Sequence, residues 1–183
     1  MRRGSPRESG YESRVHPRFT ALLLTVAGLA LLIQAAFVRP IPRLIYNASD
    51  SVPVGWYRIE STDALHVGGI VLARLPSAPA AFAARRGYLP MRIPLLKRIG
   101  AMAPQVVCVR DGIVSIDSIP VAVTLFLDGS GRRLPAWPQC RRLRADELFL
   151  LSTTNPASFD SRYFGPVNTS AVIGQAQPLW TRP

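Results

Sequence analysis

The stretch "NASDSVPVGWYRI", Asn47–Ile59, follows a long apolar segment and turns from polar residues into a strand-like pattern. Its second half alternates apolar and polar side chains, which is typical of a strand with one buried face. Pro53 stiffens the chain, and Gly55 permits a close approach to the backbone, which we interpret as an approach by a ligand. The stretch therefore predicts a β structure that is entered through a short polar loop.

The same loop contains Ser49 and Ser51, whose hydroxyl groups have two interpretations. Serine side chains often form ordinary turns or cap the entrance of a strand. A serine hydroxyl can also be the nucleophile in acyl transfer if a base lies beside it. His66 is the one histidine beyond the N-terminal tail, so a Ser-His-Asp triad is poorly supplied, although His66 stays open as an alternative base.

The apolar segment before the loop, Phe19–Val38, has twenty residues without a charge. At about 1.5 Å per residue a helix of this length spans the roughly 30 Å hydrocarbon layer, which predicts a transmembrane anchor. A cleaved secretory signal is the alternative, but its apolar core usually has about 7 to 15 residues. Residues 1–18 hold five arginines and two glutamates, which predicts a cytoplasmic basic tail. Residues 39–183 would then be the periplasmic domain of a single-pass protein of a bacterial inner membrane, although Arg39 and Arg43 weaken this orientation.

Short β-rich runs dominate the chain beyond the anchor and predict a mostly β domain. Turn residues separate the runs, and the Asp-Gly pair within Arg110–Gly112 tolerates the positive φ of a hairpin turn. An alanine-rich segment, Ser77–Leu89, is the exception and is either a short surface helix or a flexible flap. The predicted strands lie near residues 54–60, 68–75, 93–100, 105–110, 112–117, 145–153 and 170–180.

The net charge of +11 raises the question of nucleic-acid binding. The basic residues are dispersed rather than clustered with aromatic residues, and the densest groups are "RRGY" from Arg85 and "CRRLR" from Cys140. We therefore predict a solvated basic face near anionic lipid headgroups and no nucleic-acid partner.

Cys108 and Cys140 are the two cysteines of the chain. In an oxidising compartment such a pair is more often a disulfide than a metal site, so we predict a bridge between Cys108 and Cys140. These cysteines and His66 show no close ligand spacing, and the sequence predicts neither a metal site nor a cofactor.

Lys97 is the single lysine among 22 basic residues, the other 21 being arginines. Arginine stays protonated in proteins, whereas a lysine amine buried among apolar groups can lose its proton and act as a base. Alternation along a strand would put Leu95, Lys97 and Ile99 on one face. A solvent-facing lysine on an edge strand is the alternative that spacing alone leaves open.

Three segments carry a family resemblance. "NASDSVPVGWY", from Asn47, resembles the Asn-x-Ser/Thr-x-Ser-x-Pro-x-Gly-x-Tyr motif of the TraF-type conjugative transfer peptidases, a branch of the type I signal peptidase superfamily. "LLKRIGA", residues 95–101, resembles the lysine box of that superfamily, and "SFDSRYFGPV", Ser158–Val167, resembles its C-terminal Asp-Ser-Arg-Tyr-x-Gly box. The resemblance covers residues 19–180 and implies a signal-peptidase-like antiparallel β-sheet catalytic domain preceded by one N-terminal transmembrane helix.

The resemblance also implies chemical roles for the loop and the lysine. Ser51 would be the nucleophile and Lys97 the general base, while Ser49 would donate a hydrogen bond to the oxyanion beside the Ser51 N–H. For Lys97 to be neutral near pH 7, burial must outweigh its reference pKa of about 10.4. Asp160 should therefore not contact Lys97 directly.

The C-terminal box has supporting roles in the same resemblance. Ser158 would orient the lysine, Asp160 would support the site, and Arg162 would be structural, holding Asp160 or a loop. Apolar pockets for small side chains are implied as well, and we place "VPVGWY", residues 52–57, along one wall.

The function that follows from the resemblance is a membrane-anchored serine endopeptidase with a Ser-Lys dyad. It would mature a secreted or membrane protein precursor, with a conjugative pilin as the expected substrate and the conjugative secretion machinery as a further partner. The acyl-enzyme would react with water or with an amine that joins the ends of a pilin. A general type I preprotein signal peptidase is one alternative, although the Ser-x-Pro spacing and the lack of a Ser-Met pair speak against it. A non-catalytic periplasmic interaction domain is the other.

Overall fold

The structure is a computed structural model that describes residues 17–37, 43–63 and 65–182. The chain divides into two compact units, Met1–Pro40 and Ile41–Pro183. The first contains one helix, α1, Pro17–Phe37. Among the described residues, no helix is both long and apolar enough to qualify as a membrane-crossing segment. The anchor therefore stays a prediction, and residues 1–16 of the predicted tail and Val38 lie outside the described residues.

The second unit is mostly β, and its strands form two antiparallel sheets, which confirms the predicted class. The seven-stranded sheet has the order β1-β2-β11-β3-β4-β9-β10, and the four-stranded sheet has the order β7-β6-β5-β8. The strands are β1 Leu44–Asn47, β2 Gly55–Glu60, β3 Ile70–Ala73, β4 Leu95–Met102, β5 Val106–Arg110, β6 Ile113–Ile116, β7 Ile119–Val123, β8 Cys140–Arg142, β9 Glu147–Leu150, β10 Val167–Asn168 and β11 Val172–Thr181.

Strand β11 lies between β2 and β3 and joins the two halves of the larger sheet. A β-carbon at Gly55 would lie 2.1 Å from the Trp180 carbonyl oxygen, and Gly55 has a φ of +149°. A β-carbon at Gly174 would lie 2.4 Å from the Glu60 carbonyl oxygen. The close approach that we assigned to a ligand at Gly55 is therefore made by the backbone of β11, and that interpretation is wrong.

Strand β3, in the middle of the larger sheet, is covered on both faces. All four residues of β3 are buried, so the period-two pattern disappears there, as expected for a central strand. Ile70 and Leu72 pack in one apolar cluster with Tyr57, whereas Val71 packs on the opposite face with Ile99. The sheet therefore holds two separate clusters against its two faces.

The four-stranded sheet carries the disulfide. Cys108 on β5 lies directly opposite Cys140 on β8, and the two form a disulfide. Asp111 and Gly112 adopt φ values of +52° and +79° in the turn between β5 and β6, as the Asp-Gly pair predicts. Apolar residues of both sheets pack in one cluster, namely Ala101, Val107, Val109, Val114, Ile116, Leu143, Phe149 and Leu151.

Two short helices complete the second unit. The alanine-rich segment forms α2, Ser77–Arg86, and ends at Gly87 in the left-handed conformation, which realises the predicted surface helix. Helix α3, Ser161–Phe164, is capped by the Asp160 side chain, which accepts a hydrogen bond from the Arg162 N–H.

Candidate active site

Lys97 lies in the interior of the larger sheet. It is part of β4, which runs between β3 and β9, and its backbone pairs with Val71. The residue is 1% exposed, so the solvent-facing alternative on an edge strand is wrong. Leu95 and Ile99 pack in one cluster on the Val71 side of the sheet, which is the face that strand alternation gives to Lys97.

Three hydroxyl and amine groups meet at the end of the Lys97 side chain. The amine Nζ donates hydrogen bonds to the Ser51 Oγ and to the Ser158 Oγ. The two hydroxyl oxygens are 3.3 Å apart and form the third side of the triangle. Residues 46 and 61 positions away from Lys97 in sequence are thereby brought to a single point.

Burial lowers the pKa of Lys97 from 10.5 to about 8, because the charged amine loses its hydration. The negative charge of Asp160 acts in the opposite direction, and the positive charge of Arg162 again lowers the pKa. The Asp160 carboxylate is bound by the Arg162 guanidinium, at 2.8 Å from Nε to Oδ1 and 2.9 Å from Nη2 to Oδ2. Its effect on Lys97 is therefore partly offset, and the amine loses its proton near pH 8.

The loop around Ser51 is held by Asn47, whose amide contacts the loop on two sides. The Asn47 Nδ2 donates to the carbonyl oxygens of Ser49, Val52 and Pro53 at 2.7, 2.9 and 3.1 Å. The Asn47 Oδ1 accepts from the Ser49 hydroxyl at 2.8 Å and from its N–H at 3.1 Å. The Ser49 hydroxyl thus lies in the loop around Ser51, where it is hydrogen-bonded to Asn47 and separate from the Lys97 triangle.

Asp160 and Arg162 form a fully buried ion pair behind this triangle. Arg162 also donates to three backbone carbonyls, those of Val123 at 2.7 Å, Ser152 at 2.6 Å and Pro156 at 3.3 Å. The guanidinium therefore holds both Asp160 and the surrounding loops, and the two structural tasks proposed as alternatives are performed together.

Ser51 and Lys97 open into a cavity of about 750 Å³. Its walls come from the loop around Ser51, the segment after α2, the segment of residues 125–134 and the loop that precedes α3. The lining residues that bear on the chemistry are Ser49, Ser51, Lys97 and Ser158, and large apolar side chains such as Ile45, Leu75, Leu95, Leu125 and Phe159 supply the walls. Residues 52–57 do not line this cavity, so the predicted wall is wrong: Val52 and Tyr57 point into the core instead.

Two features of the site were not predicted from the sequence. Tyr88 and Asp128 form part of the cavity wall. The Asp128 carboxylate accepts hydrogen bonds from the Tyr88 hydroxyl and from the side chains of Arg86 and Arg132. The Ser152 hydroxyl donates a hydrogen bond to the Ser51 carbonyl oxygen at 3.0 Å. Neither belongs to a motif that the sequence displays, and only the Ser-Thr-Thr-Asn-Pro turn signal near residue 152 hints at a shaped loop.

The other candidate residues lie elsewhere. His66 is exposed and does not line the cavity of Ser51 and Lys97, although it makes a contact of its own. Cys108 and Cys140 lie in the smaller sheet as a disulfide. Across the part of the chain that the structure describes, no three His, Cys, Asp or Glu side chains group together in a way that could hold a metal ion.

Known proteins share both sequence and extent with this chain. The signal peptidase family, peptidase S26, matches residues 17–180. A conjugal transfer protein TraF of Agrobacterium tumefaciens (strain 15955) is 32% identical over 177 residues, covering 90% of this chain and 98% of that protein. A plasmid transfer protein TraF of Escherichia coli is 30% identical over 174 residues, covering 90% of this chain and 97% of that protein.

Among solved structures, a signal peptidase I from Enterococcus faecalis V583 is 19% identical and covers 63% of this chain and 98% of that one, with a TM-score of 0.37. The family match extends over nearly the whole chain and includes the loop around Ser51, strand β4 with Lys97, and the segment Ser158–Val167. The resemblance to TraF-type proteins is confirmed by relatives of nearly equal length. This chain belongs to the signal peptidase family, peptidase S26.

Proposed function

We propose that this chain is a membrane-anchored serine endopeptidase in which Ser51 is the nucleophile and Lys97 the general base. The observation that carries the proposal is the contact between the buried Lys97 amine and the Ser51 hydroxyl at the edge of an apolar cavity. Membership of the S26 family supports the serine-peptidase chemistry. A lysine whose pKa is lowered to about 8 is a competent base near neutral pH.

The geometry supports a sequence of proton transfers between these groups. Neutral Lys97 accepts the proton of the Ser51 hydroxyl as the oxygen attacks a peptide carbonyl, and the protonated amine then gives the proton to the leaving nitrogen. Ser158 keeps the amine directed toward Ser51 through its own hydrogen bond. The oxyanion would accept a hydrogen bond from the Ser51 N–H. It would accept a second one from the Ser49 hydroxyl, once that hydroxyl turns away from Asn47.

The acyl-enzyme is then released by an incoming nucleophile. Water attacks the ester carbon while Lys97 takes one of its protons, and the bond from the acyl carbon to the Ser51 Oγ then breaks. Lys97 passes that proton to the Ser51 oxygen, and the acyl group leaves as a carboxylic acid. An amine of the substrate can take the place of water, in which case a new peptide bond forms and the chain becomes cyclic. Both routes use the same residues.

The substrate is proposed to be a protein precursor of a conjugation system, with a pilin first. The relatives carry the names conjugal transfer protein and plasmid transfer protein, which supports this class. The proposal places the anchor at residues 19–38 in a bacterial inner membrane and the catalytic unit in the periplasm. Ser51 follows Val38 by thirteen residues, at most about 45 Å of extended chain, which would keep the nucleophile near the membrane.

The test is precursor processing in membranes that carry the wild-type chain, Ser51→Ala or Lys97→Arg. Both variants should abolish processing, because one removes the nucleophile and the other supplies a guanidinium that stays protonated. Ser61→Ala and Arg98→Lys are matched controls at exposed positions and should process normally. Protease resistance of the second unit shows that each variant is folded, and normal processing by folded Lys97→Arg would rule out Lys97 as the base.

The same assay separates the alternatives. A general preprotein signal peptidase would also cleave ordinary exported precursors, whereas the proposed enzyme would spare them. A non-catalytic interaction domain would leave processing intact in all variants. The names of the relatives favour the conjugation substrate over general precursors.

A further inference from the structure

We propose that Ser152 is a positioning residue that fixes the nucleophile loop to the buried Asp160–Arg162 ion pair. The inference rests on the proposed function, because it assigns how Ser51 is held in reach of Lys97. Ser152 follows β9 after one residue and is 2% exposed. It makes its contacts through the N–H, the carbonyl and the hydroxyl, each with a different partner.

The main chain of Ser152 is bound by the ion pair. Its N–H donates to the Asp160 Oδ2 at 3.0 Å, and its carbonyl oxygen accepts from the Arg162 Nη2 at 2.6 Å. Both partners are completely buried, so these hydrogen bonds are shielded from water and the main chain here has little freedom. The direction of the Ser152 side chain follows from this fixed backbone.

The hydroxyl of Ser152 connects that backbone to the nucleophile. The Ser152 Oγ donates to the Ser51 carbonyl oxygen at 3.0 Å and accepts from the Asn155 N–H at 3.2 Å. Asn47 holds the carbonyls of Ser49, Val52 and Pro53. The Ser51 carbonyl itself is held by Ser152, which adds a restraint on the loop that Asn47 does not supply.

Restraint of the Ser51 carbonyl acts directly on the nucleophile. This carbonyl fixes the torsion ψ of Ser51, and together with χ1 that torsion sets where the Ser51 Oγ lies relative to the Lys97 amine. Displacement of a reacting group by about 1 Å can cost about a hundredfold in rate. Loss of the Ser152 hydroxyl should therefore loosen the contact between Ser51 and Lys97 without touching either side chain.

The experiment measures this contact without a substrate. In a Ser51→Cys variant the natural cysteines are joined as a disulfide, so the thiol at position 51 is the one that iodoacetamide can alkylate. The pH dependence of the alkylation rate gives the pKa of that thiol, ordinarily about 8.5, which the neighbouring Lys97 ammonium should lower. The other charges near it are Asp50 of the same loop and the Asp160–Arg162 pair.

Four second substitutions are compared in that background. Lys97→Met should raise the thiol pKa by about one unit or more, since the adjacent ammonium is lost. Ser152→Ala should raise it by about half a unit or more, so that alkylation at pH 7 slows about threefold. Thr153→Ala removes an exposed hydroxyl from the same loop and should leave the rate unchanged. Ser152→Thr keeps the hydroxyl and should give the thiol pKa of the Ser51→Cys single variant.

The outcomes distinguish the two proposals. If Lys97→Met leaves the thiol pKa unchanged, the Ser51–Lys97 dyad fails, and the positioning role fails with it. If Lys97→Met raises the pKa while Ser152→Ala only lowers the melting temperature, Ser152 is structural and the positioning proposal is overturned. Ser152→Thr provides the test if Ser152→Ala does not fold. If the folded Ser152→Thr variant keeps the hydroxyl but its thiol pKa is as high as that of Lys97→Met, the positioning proposal is overturned as well.

Discussion

A buried lysine differs from a buried arginine because its amine can exist without a proton inside a folded protein. The hydrogen-bond partners of the Lys97 amine are the hydroxyls of Ser51 and Ser158 rather than carboxylates. A carboxylate in contact would keep the proton on the amine, and the nearby carboxylate, Asp160, is occupied by Arg162. The Asp160 charge therefore raises the pKa of Lys97 less than burial lowers it.

The pH dependence of processing follows from the lowered pKa of Lys97. At pH 7 most of the amine carries a proton, and the neutral fraction rises through about pH 8. We therefore expect kcat/KM for a precursor peptide to rise about tenfold between pH 6 and pH 7, to bend near pH 8 and to level off above it. Cleavage rates measured from pH 6 to pH 10 give this profile, and a flat profile across that range would contradict a lysine base.

Stability should respond to the same residue in the opposite sense to activity. The unfolded chain keeps the Lys97 proton up to about pH 10.4, while the folded chain loses it near pH 8, so burial costs most below pH 8. Lys97→Met should therefore be inactive yet about 1 to 3 kcal/mol more stable at pH 7, and the advantage should shrink as pH rises from 8 to 10. Urea unfolding at pH 7 and pH 9.5 measures the difference. A variant less stable than wild type at both values would show that burial of the amine costs little.

The Asp160–Arg162 pair should behave as a buried rather than a surface ion pair. Arg162→Met leaves the Asp160 carboxylate buried without a charged partner, which should cost about 3 to 5 kcal/mol. Arg132→Met is the matched control, because the Arg132 side chain is 41% exposed, and it should cost about 1 kcal/mol or less. Urea unfolding of both variants tests the contrast, and equal losses would mean that burial does not govern these pairs.

At the scale of secondary structure, strands with period two or long apolar runs were predicted correctly, among them β2, β3 and β4. Strands β8 and β10 have only three and two residues, and tertiary pairing defines them rather than any sequence pattern. Strand β7 contains Pro120, which usually argues against a strand and is accommodated at the edge of the smaller sheet. Local patterns therefore locate the long elements but not those that exist only through their neighbours.

The candidate site divides in the same way. Ser51, Lys97, Ser158, Asp160 and Arg162 carry motif signals, and the structure places them together. The contacts of Ser152 and the wall of Tyr88 and Asp128 arise from loops that are far apart in sequence, so no spacing could indicate them. Position along the chain says little about which loops meet in a β fold.

The loop around Ser51 is held in shape by hydrogen bonds from the Asn47 side chain. Asn47→Ala would leave the carbonyls of Ser49 and Val52 without this donor and would leave the Pro53 carbonyl with the Tyr57 hydroxyl, which should lower stability by about 1 to 3 kcal/mol and slow processing. Thermal unfolding and processing are measured together. Asn168→Ala removes the cap of an exposed turn and should lower stability alone. Normal processing by Asn47→Ala would show that the loop keeps its shape without this side chain.

At the scale of the whole molecule, the disulfide should contribute to the stability of the second unit. The bond joins positions 32 residues apart, and closing a loop of that length in the unfolded chain corresponds to about 3 to 4 kcal/mol. The double variant Cys108→Ser/Cys140→Ser should lose that amount in urea unfolding, and wild type in reductant should match it. A loss below about 1 kcal/mol would show that the unfolded chain gains little conformational freedom when the disulfide is absent.

Strand β11 also bears on the timing of synthesis. The hairpin of β1 and β2, which leads to and from Ser51, is paired to the Lys97 half of the larger sheet through β11. A nascent chain that has not yet emerged as far as residues 172–181 therefore has Ser51 and Lys97 but lacks the strand that pairs their two sheet halves. We expect these sheet halves to pair only after this late segment has been synthesised.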